Sequence, residues 1–357
     1  MNQTRLHKLY RILNDQQLDA VIITNPQNRR YYSGFTGSAG VLVVGLTKAY
    51  IVTDFRYWEQ AGIEAVKFEL IKQGQYVWTS VFEVINAAAW KRIGFEAEDV
   101  TYRDYLQIAK LAQDVELVAL TDEVKRGRWA KDTAEIETLA EGARITDLAW
   151  QQTISKIKPG VKERDLALEF DYQLRLNGAE GSAFTTIVAS GYRSALPHGA
   201  ASGKEIQAGD LVIIDGGALY QGYHADMTRT VVVGRATDEQ KKIYQLVLDA
   251  QMRALSLLKS GLTGKEADAF ARELITDAGY GANFGHGLGH SVGLEIHESP
   301  RLSPSEPNQI PLDSVVTVEP GIYLPNWGGV RIEDLVVVGE TGVRNLTGSP
   351  KTELIEL

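Results

Sequence analysis

Two aspartates stand inside apolar, strand-like segments of this sequence, where a bare charge is costly. Asp215 ends the run DLVIID and Asp226 begins the run DMTRTVVV, with a predicted turn centred between Tyr220 and Gln221. In an antiparallel hairpin this turn places Asp215 directly opposite Asp226, with their Cβ atoms ~5 Å apart. Two buried carboxylates at that distance repel each other, and a divalent cation between them removes the repulsion. The pair therefore predicts a metal site, the alternative being that Asp226 is a turn residue facing water.

A second predicted hairpin repeats this arrangement with glutamates. VVTVEPGIYL delivers Glu319 and GVRIEDLVVV delivers Glu333, and the midpoint between them falls at Asn326, in the turn-like segment LPNWGG. Pro320 follows Glu319 and ends the strand abruptly, which is where functional side chains often project. The two glutamates are predicted to be near neighbours, although Glu333 alone could belong to an exposed charge pattern, RIED.

The histidines add a third group of possible ligands. Five of the six lie between residues 198 and 297, and three share the segment FGHGLGHSVGLEIHE. The spacing of His286 and His290 would suit one face of a helix, but the glycines among them disfavour a helix. We therefore predict a glycine-rich loop and strand that let the backbone approach a ligand closely. The common alternative for any one of these histidines is an imidazole satisfied in the core or in a loop.

Together these segments offer four carboxylates and one imidazole as metal donors. Such a set exceeds the needs of one ion and suits two cations ~3.5–4 Å apart. Oxygen-rich sites favour Mn²⁺ or Co²⁺, and Zn²⁺ is also compatible. The chain contains no cysteine, so thiolate sites and disulfides are excluded.

The elements that must position these residues fall into two groups along the 357-residue chain. Residues 1–121 alternate predicted helices and strands, which is typical of a small α/β domain. Residues 122–357 show helices followed by strands, twice over, which indicates an α+β domain with an internal pseudo-repeat. The predicted helices are 3–16, 56–65, 76–90, 102–112, 132–157, 162–178, 238–260 and 265–279.

Composition narrows the function classes. The net charge is −9 and no run of Lys and Arg occurs, so we expect no nucleic-acid partner and no anionic membrane surface. The N-terminal segment MNQTRLHKLYRILNDQQLDAV has the pattern of an amphipathic helix and not of a signal peptide. No stretch reaches the ~20 apolar residues that span a bilayer, so we expect a cytoplasmic protein.

Five motifs, in order and spacing, resemble the proline dipeptidase and aminopeptidase P family. They are SALPHG (194–199), DGGALYQGYHADMTRT (215–230), GHGLGHSVGLEIHE (285–298), EPGIYLP (319–325) and VRIED (330–334). The segments NRRYYSGFTGSAG and TDFRYWEQA also resemble the family's smaller N-terminal domain. The resemblance implies a pita-bread catalytic domain, shared with methionine aminopeptidases, behind a creatinase-like N-terminal domain.

The same resemblance implies a role for each matching position. The family's metal ligands fall on Asp215, Asp226, His290, Glu319 and Glu333. Its substrate-side histidines fall on His198, His286 and His297, its arginine beside the last ligand on Arg331, and the aromatic of its proline pocket on Phe184. One departure is Gly216, where the family carries a bulkier residue, so a slightly roomier site is expected there.

This assignment implies hydrolysis of the Xaa-Pro bond of small peptides. Two divalent cations supply a water nucleophile at neutral pH, which Glu319 would orient and deprotonate. His297 would stabilise the oxyanion and His198 would lie near the leaving proline nitrogen. A flat apolar slot on Phe184 would recognise the ring, because the scissile nitrogen carries no N–H to grip.

Four alternatives remain at this stage. The first is aminopeptidase P, which releases the first residue of longer Xaa-Pro peptides through the same metal site. Methionine aminopeptidases normally lack the N-terminal domain, and metal-free creatinase-like relatives lack the full ligand set. A non-catalytic pita-bread module that binds proteins would typically have lost ligands. The family also implies a homodimer.

Overall fold

A computed structural model describes residues 2–357 of the chain, with side chains from residue 5 onward. The chain divides into two compact units, one ending at Arg128 and the other formed by Trp129–Leu357. From the sequence, this boundary was expected between residues 121 and 122. No described helix is long and apolar enough to cross a membrane.

The first unit is built around a six-stranded mixed sheet with the strand order β4-β3-β2-β1-β5-β6. Apolar faces of its strands and of α4 form a core that includes Ile22, Val43, Phe82 and Ile93. The elements are α1 (Asn2–Asp15), β1 (Ala20–Ile23), α2 (Pro26–Ser33), β2 (Val41–Gly45), β3 (Ala49–Thr53), α3 (Trp58–Glu64), β4 (Glu69–Lys72), α4 (Val77–Ala87), β5 (Arg92–Glu96), α5 (Tyr102–Leu111), β6 (Glu116–Leu120) and α6 (Glu123–Arg126).

Helix α2 was not anticipated from the sequence, although its end signals are present. The Asn25 side chain accepts a hydrogen bond from the backbone N–H of Asn28, and Pro26 occupies the first turn. Gly34 ends the helix with φ +85°, a left-handed conformation that glycine adopts without strain. Asparagine, proline and glycine at these positions are the typical boundary residues of a short helix.

The second unit repeats one pattern, a pair of helices followed by antiparallel strands. Helices α7 and α8 pack on strands β8, β9 and β12, and helices α9 and α10 pack on β14, β15 and β18. The elements are α7 (Thr133–Ile154), α8 (Glu163–Leu176), β7 (Gly181–Ser182), β8 (Ile187–Ser190), β9 (Leu211–Gly216), β10 (Ala218–Tyr220), β11 (Tyr223–His224), β12 (Met227–Val232), α9 (Asp238–Leu257), α10 (Gly264–Asp277), β13 (Gly289–Ser291), β14 (Glu298–Leu302), β15 (Val315–Val318), β16 (Gly321–Leu324), β17 (Gly328–Arg331), β18 (Asp334–Val338), β19 (Val343–Asn345) and β20 (Ile355–Glu356), with 3₁₀ turns at Gly191–Ala195 and Gly281–Asn283.

Capping boxes fix the start of three of these helices. Asp132 and Glu135 exchange hydrogen bonds at the beginning of α7. Thr237 with Gln240 does the same for α9, and Thr263 with Glu266 for α10. Each box satisfies orphan N–H groups of the first turn, which is why these helices begin within a residue or so of the predicted positions.

Candidate metal centre

The first hairpin brings its aspartates together in a different register from the one predicted. Strand β9 pairs with β12 so that Asp215 lies opposite Thr228, and not opposite Asp226. The turn is formed by Gln221 and Gly222, which both have positive φ, so the hairpin closes one residue later than expected. Asp226 consequently lies just outside β12, diagonal to Asp215.

Close backbone approach keeps the two aspartates adjacent despite this shift. Opposite Asp226 the chain carries Gly217, where an added Cβ would lie 1.7 Å from the carbonyl oxygen of Ala225. Oxygens of Asp215, Asp226 and Glu333 lie within 4.8 Å of one another, and all three residues are buried. The diagonal arrangement therefore brings the carboxylates of Asp215 and Asp226 close together, as direct pairing was expected to do.

The second hairpin has the predicted register. Val318 pairs with Asp334, and Gly321 pairs with Arg331, so the turn is centred on Asn326. Glu319 and Glu333 follow and precede their strands at matching positions. The Thr317 hydroxyl donates to Glu319 (3.1 Å), and the Thr228 hydroxyl donates to Glu333 (2.7 Å).

His290 in β13 presents one ring nitrogen to this carboxylate group. Its Nδ1 donates to the carbonyl oxygen of Ser291 (3.1 Å), which leaves Nε2 with a lone pair. Nε2 lies 3.4 Å from Glu319 Oε1 and 3.7 Å from Asp226 Oδ2. Burial, and then His297, lowers the pKa of His290 to about 3, so the imidazole is neutral at pH 7.

The negative charge of the carboxylate cluster exceeds the positive charge that the described side chains around it supply. Burial raises the pKa of Asp226 well above its usual range, and the charges of Glu333 and Asp215 raise it further. Burial likewise raises the pKa of Glu333, and it raises that of Glu319 to about 7. Arg331 Nη2 contacts Asp215 Oδ2 at 2.7 Å, but one guanidinium does not balance four carboxylates.

Buried oxygens without a hydrogen-bond partner show whether these residues are suited to bind a metal ion. Asp215 Oδ1, Asp226 Oδ1 and Glu333 Oε1 are buried and have no hydrogen-bond partner among the described residues. Buried polar atoms are nearly always satisfied, so three orphans within one cluster indicate a missing partner. Carboxylate oxygens with one imidazole nitrogen are suitable donors for a divalent cation. The residues therefore fit the two-cation site that the sequence predicts.

All ten residues singled out from the sequence line one cavity of about 530 Å³. Its other walls include Ile187, Pro197, Arg272, Gly289, Ile296 and Arg301. His198 and His297 are exposed and Phe184 is half-buried, so these three side chains face the opening and not the core. The cavity thus joins the carboxylate cluster to an accessible space bounded by an aromatic ring and two imidazoles.

Two of the histidines outside the cluster, His297 and His286, have distinct surroundings. The ring of His297 meets that of His290 edge-on at 4.5 Å between centroids. His286 Nδ1 lies 2.8 Å from the carbonyl oxygen of Gly287, and its Nε2 lies 2.9 Å from the Tyr323 hydroxyl. Burial, with the charge of Arg331, lowers the pKa of His286 to about 4. His286 is therefore a neutral member of a hydrogen-bonded chain and does not contact the carboxylates.

Sequence reasoning missed the residues that connect these groups. The Tyr323 hydroxyl accepts from Arg331 Nη1 (2.8 Å) as well as meeting His286. Thr228 accepts from Arg331 Nε (3.0 Å) while it donates to Glu333. Thr317 accepts from the His290 N–H (3.0 Å). Alternation along a strand could have identified Thr317, which lies two residues before Glu319 on the same face.

Charged pairs outside the cluster hold two of the histidine-bearing segments. Asp268 accepts the Leu288 N–H (2.9 Å) and pairs with Arg272, which donates to the carbonyl oxygen of His286 (2.6 Å). Lys131 Nζ contacts Glu298 Oε2 at 3.1 Å, and both side chains are buried. Glu298 follows His297 directly, so this ion pair fixes one end of the segment that carries His297.

The expected extra room at Gly216 is not found. A Cβ built on Gly216 would lie 2.7 Å from the ring of Phe170, a fully buried residue of α8. The ring of Phe170 therefore fills the space that a bulkier side chain would take, and the expectation was wrong.

Comparisons with known proteins agree with this geometry. Residues 137–340 match metallopeptidase family M24, and residues 5–129 match the creatinase/prolidase N-terminal domain. The Xaa-Pro dipeptidase of Pyrococcus furiosus is 40% identical over 98% of this chain and 98% of its own length. An Xaa-Pro dipeptidase structure from Bacillus anthracis has a TM-score of 0.97 and 42% identity, covering 100% of both chains. An X-Pro aminopeptidase structure from Thermotoga maritima has a TM-score of 0.90 and 41% identity, covering 96% of this chain and 98% of its own.

Proposed function

This chain belongs to metallopeptidase family M24, with a creatinase/prolidase N-terminal domain before its pita-bread unit, and we propose on this premise that it hydrolyses Xaa-Pro dipeptides. The observation that carries the proposal is the cluster of four carboxylates and one neutral imidazole, which contains three buried oxygens without a partner and whose residues line an accessible cavity. An aromatic ring and two exposed imidazoles stand at the mouth of that cavity, where a small peptide would enter.

Two divalent cations are assigned to Asp215, Asp226, His290, Glu319 and Glu333, with Mn²⁺ or Co²⁺ preferred and Zn²⁺ acceptable. When bound, they supply a Lewis acid and a water nucleophile at neutral pH. The hydrogen bonds from Thr228, Thr317 and Arg331 hold these ligands in fixed orientations. Such outer contacts typically tune metal affinity and ligand geometry.

Glu319 is the residue suited to move the proton of the reaction. Its side chain lines the cavity, 3.4 Å from His290 Nε2, and in the metal-free protein burial raises its pKa to about 7 against the opposing charge of Arg331. A carboxylate at this position is the proposed general base. It takes the proton of the attacking water as the oxygen bonds to the scissile carbonyl carbon. The same proton then reaches the proline nitrogen as the C–N bond breaks.

His297 and His198 serve the two ends of the scissile bond in this proposal. Burial, with the charge of Arg301, lowers the pKa of His297, so it is neutral and donates through one ring N–H. That N–H would stabilise the oxyanion as the carbonyl carbon becomes tetrahedral. His198, exposed at the cavity, would lie at the leaving nitrogen, and His286 holds Tyr323 and Arg331 in place behind it.

Recognition of proline and of substrate length rests on two other side chains. The half-buried ring of Phe184 would pack against the pyrrolidine ring, whose nitrogen offers no N–H to a peptide-binding strand. Arg301 also lines the cavity and could pair with the free carboxylate of a dipeptide. The alternative, aminopeptidase P activity, is favoured by the likeness to the Thermotoga maritima X-Pro aminopeptidase.

Comparing an Xaa-Pro dipeptide with an Xaa-Pro-Yaa tripeptide, with and without Mn²⁺, tests both functions. Metal-dependent cleavage with a higher kcat/KM for the dipeptide supports the dipeptidase. A higher kcat/KM for the tripeptide supports the aminopeptidase instead. Cleavage that is equal after exhaustive chelation would refute both metal-dependent proposals.

Phe184→Ala tests the proline slot. Removing the ring should raise KM for Xaa-Pro substrates while leaving metal content unchanged, because contacts worth about 1.5–3 kcal/mol are lost from the substrate. Phe82→Ala, which removes a buried aromatic of the first unit, is the matched control and should lower the melting temperature with KM unchanged. A Phe184→Ala protein with a lower melting temperature and native KM would contradict the slot.

We also propose that the protein works in the cytoplasm as a homodimer on small peptides. The chain contains no cysteine, which suits a reducing compartment, and the family resemblance implies a dimer. Light scattering on the purified protein would measure the mass directly, and a single-chain mass at micromolar concentration would contradict the dimer.

A further inference from the structure

A fully buried carboxylate outside the metal centre closes the loop that carries His198. Glu163, the first residue of α8, is 0% exposed. Its Oε1 accepts the Ser190 N–H (2.8 Å) and the Ser190 hydroxyl (2.9 Å). Its Oε2 accepts Arg193 Nε (3.0 Å), the Ser202 N–H (3.0 Å) and the Ser202 hydroxyl (2.6 Å). Oε1 thus holds the Ser190 end of residues 190–202, the His198 loop, and Oε2 holds the Ser202 end together with Arg193.

At the tip of the His198 loop only the backbone is held: the Gly199 N–H donates to the Leu196 carbonyl oxygen (3.0 Å), and Arg193 Nη2 donates to the Ala200 carbonyl oxygen (2.6 Å). The His198 ring makes no hydrogen bond to any described residue and is exposed at the cavity. Near the tip, the Pro197 carbonyl oxygen accepts a long hydrogen bond from Arg331 Nη1 (3.3 Å). Because the ring has no partner of its own within the described chain, its position depends on the backbone of the loop.

We propose that Glu163 is a positioning residue for His198: by joining Ser190 to Ser202 it sets where this imidazole meets the substrate. The inference rests on the proposed function, in which His198 lies at the leaving nitrogen. Through these hydrogen bonds Glu163 acts as a non-covalent cross-link between two residues that are twelve apart in sequence. A cross-link of this kind restricts the conformations that the loop can adopt. A displacement of about 1 Å at a reacting group can cost on the order of 100-fold in rate.

The bridge requires a carboxylate because every partner is a donor. Burial would raise the pKa of Glu163, but hydrogen bonds from Ser202 and Ser190 and the charge of Arg193 outweigh it and lower that pKa below its usual range. Glutamine at this position keeps one acceptor oxygen. Its NH₂ group takes the place of the other oxygen and cannot accept the hydrogen bonds that this oxygen received. Glu163→Gln therefore releases one end of the loop with little change in side-chain volume.

Kinetics of Glu163→Gln, His198→Ala and the double variant test the proposal. We expect Glu163→Gln to lower kcat roughly 10-fold to 100-fold with full metal content, and to lower it no further in the His198→Ala background. Effects that multiply in the double variant would show that Glu163 acts elsewhere, and the proposal would fail. Ser202→Ala removes a single hydrogen bond from the same bridge and should give a smaller loss of kcat. This variant keeps the proposal testable if the Glu163→Gln protein folds poorly.

Glu96→Gln is the matched control for lost stability. Glu96 is also buried (3% exposed), and it accepts the backbone N–H groups of Thr24 (2.6 Å) and Asn25 (2.8 Å) in the first unit. Its substitution should lower the melting temperature as Glu163→Gln does, with kcat unchanged. A folded Glu163→Gln protein with native kcat would overturn the proposal.

A spectroscopic measurement separates this inference from the proposed function. In Zn²⁺-loaded protein labelled at histidine Cε1, the ring signal that His198→Ala removes is that of His198, one of six histidines. Glu163→Gln should shift or broaden that signal, and Glu96→Gln should not. An unmoved His198 signal would refute positioning by Glu163. Failure of the wild-type protein to cleave Xaa-Pro peptides would instead refute the proposed function. The His198 ring signal would still show whether Glu163 positions this histidine.

Discussion

Buried carboxylates that repel one another are the residues on which the proposed chemistry depends. Asp226 and Glu333 are 6% and 1% exposed, and each is destabilised by burial and by its neighbours. A protein that needed only stability would fill these positions with apolar or paired residues. Burying these carboxylates with unpaired oxygens costs folding free energy. A bound divalent cation, which the family membership implies, would offset that cost.

Glu333→Gln should therefore lose at least one metal ion per chain. A neutral amide keeps the shape of the side chain and the hydrogen bond from Thr228, but it supplies no charge to offset the cation. Metal content measured by elemental analysis after gel filtration checks this. Asp147→Asn, which alters a carboxylate that accepts the Gly348 and Ser349 N–H groups, should keep the wild-type metal content. Two tightly bound ions in Glu333→Gln would contradict the ligand assignment.

His297→Ala should lower turnover and leave metal content nearly intact. The His297 ring packs against His290 without entering the carboxylate cluster, and losing one oxyanion donor costs roughly 10²–10³ in rate. His224→Ala is a suitable control, since that half-buried histidine binds the Gly293 carbonyl oxygen and does not line the cavity. Loss of both metals from His297→Ala would show that this histidine is a ligand.

At the scale of elements, two hairpins carry the four carboxylates to one point. Each hairpin has its carboxylates where a strand begins or ends, so the side chains project from the sheets and not into the helix-facing core. In the first hairpin Gly217 lets the strands approach, because a Cβ there would overlap the carbonyl oxygen of Ala225. The positions of the proposed metal ligands thus depend on a glycine that is not itself a proposed ligand.

Gly217→Ala should force the first hairpin apart and weaken metal binding together with stability. Overpacking typically costs about 1–3 kcal/mol, and here the clash is with rigid backbone. Calorimetric titration with Mn²⁺ and thermal melting of the same preparation would measure both effects. Gly62→Ala is the control, because its Cβ meets nothing within 4 Å in helix α3 and should be neutral or stabilising. Native Mn²⁺ affinity in Gly217→Ala would contradict this role.

At the scale of the molecule, each compact unit has its own hydrophobic core, and the cavity residues all belong to the second unit. The carboxylate cluster therefore affects the stability of that unit in a way that depends on pH and metal. In the folded, metal-free state Glu319 has its pKa raised to about 7 from an ordinary 4.5, and the pKa values of Asp226 and Glu333 are raised too. These groups hold more protons when folded than when unfolded.

Metal-free protein should consequently lose stability as pH rises from the ordinary carboxyl pKa of 4.5 through the folded pKa of Glu319, about 7, and the net fall should be measured above pH 6.5. Stability falls with pH wherever the folded state binds more protons than the unfolded state. His286 and His290, with pKa values lowered to about 4 and about 3, act in the opposite direction only below their ordinary value of 6.5. Melting curves with and without chelator check this: metal-loaded protein should not show the fall, since deprotonated ligands bind metal better. Parallel curves for the two forms would contradict the expectation.

Much of this protein could be predicted from its sequence because the decisive patterns are local. Alternating apolar strands, capping residues and glycine stops indicated most helices and strands, and the turn at Asn326 gave the register of the second hairpin correctly. The family resemblance and the pita-bread fold are confirmed. Residue type and position at strand ends were enough to select the carboxylates that the fold brings together, because a charge inside an apolar strand needs a partner wherever that strand lies.

Only the tertiary structure decided how those residues meet. The first hairpin turns at Gln221 and Gly222, and this changes its register by two residues from the predicted one. A two-residue change leaves every side chain on the same face of the sheet, so apolar alternation could not reveal it. The separate surroundings of His286, His290 and His297 likewise follow from contacts with Tyr323, Ser291 and the other chain segments around them. Spacing along the chain identifies which side chains can supply charge and lone pairs. Which atoms are left unsatisfied depends on segments distant in sequence, since burial and hydrogen bonding are properties of the packed molecule.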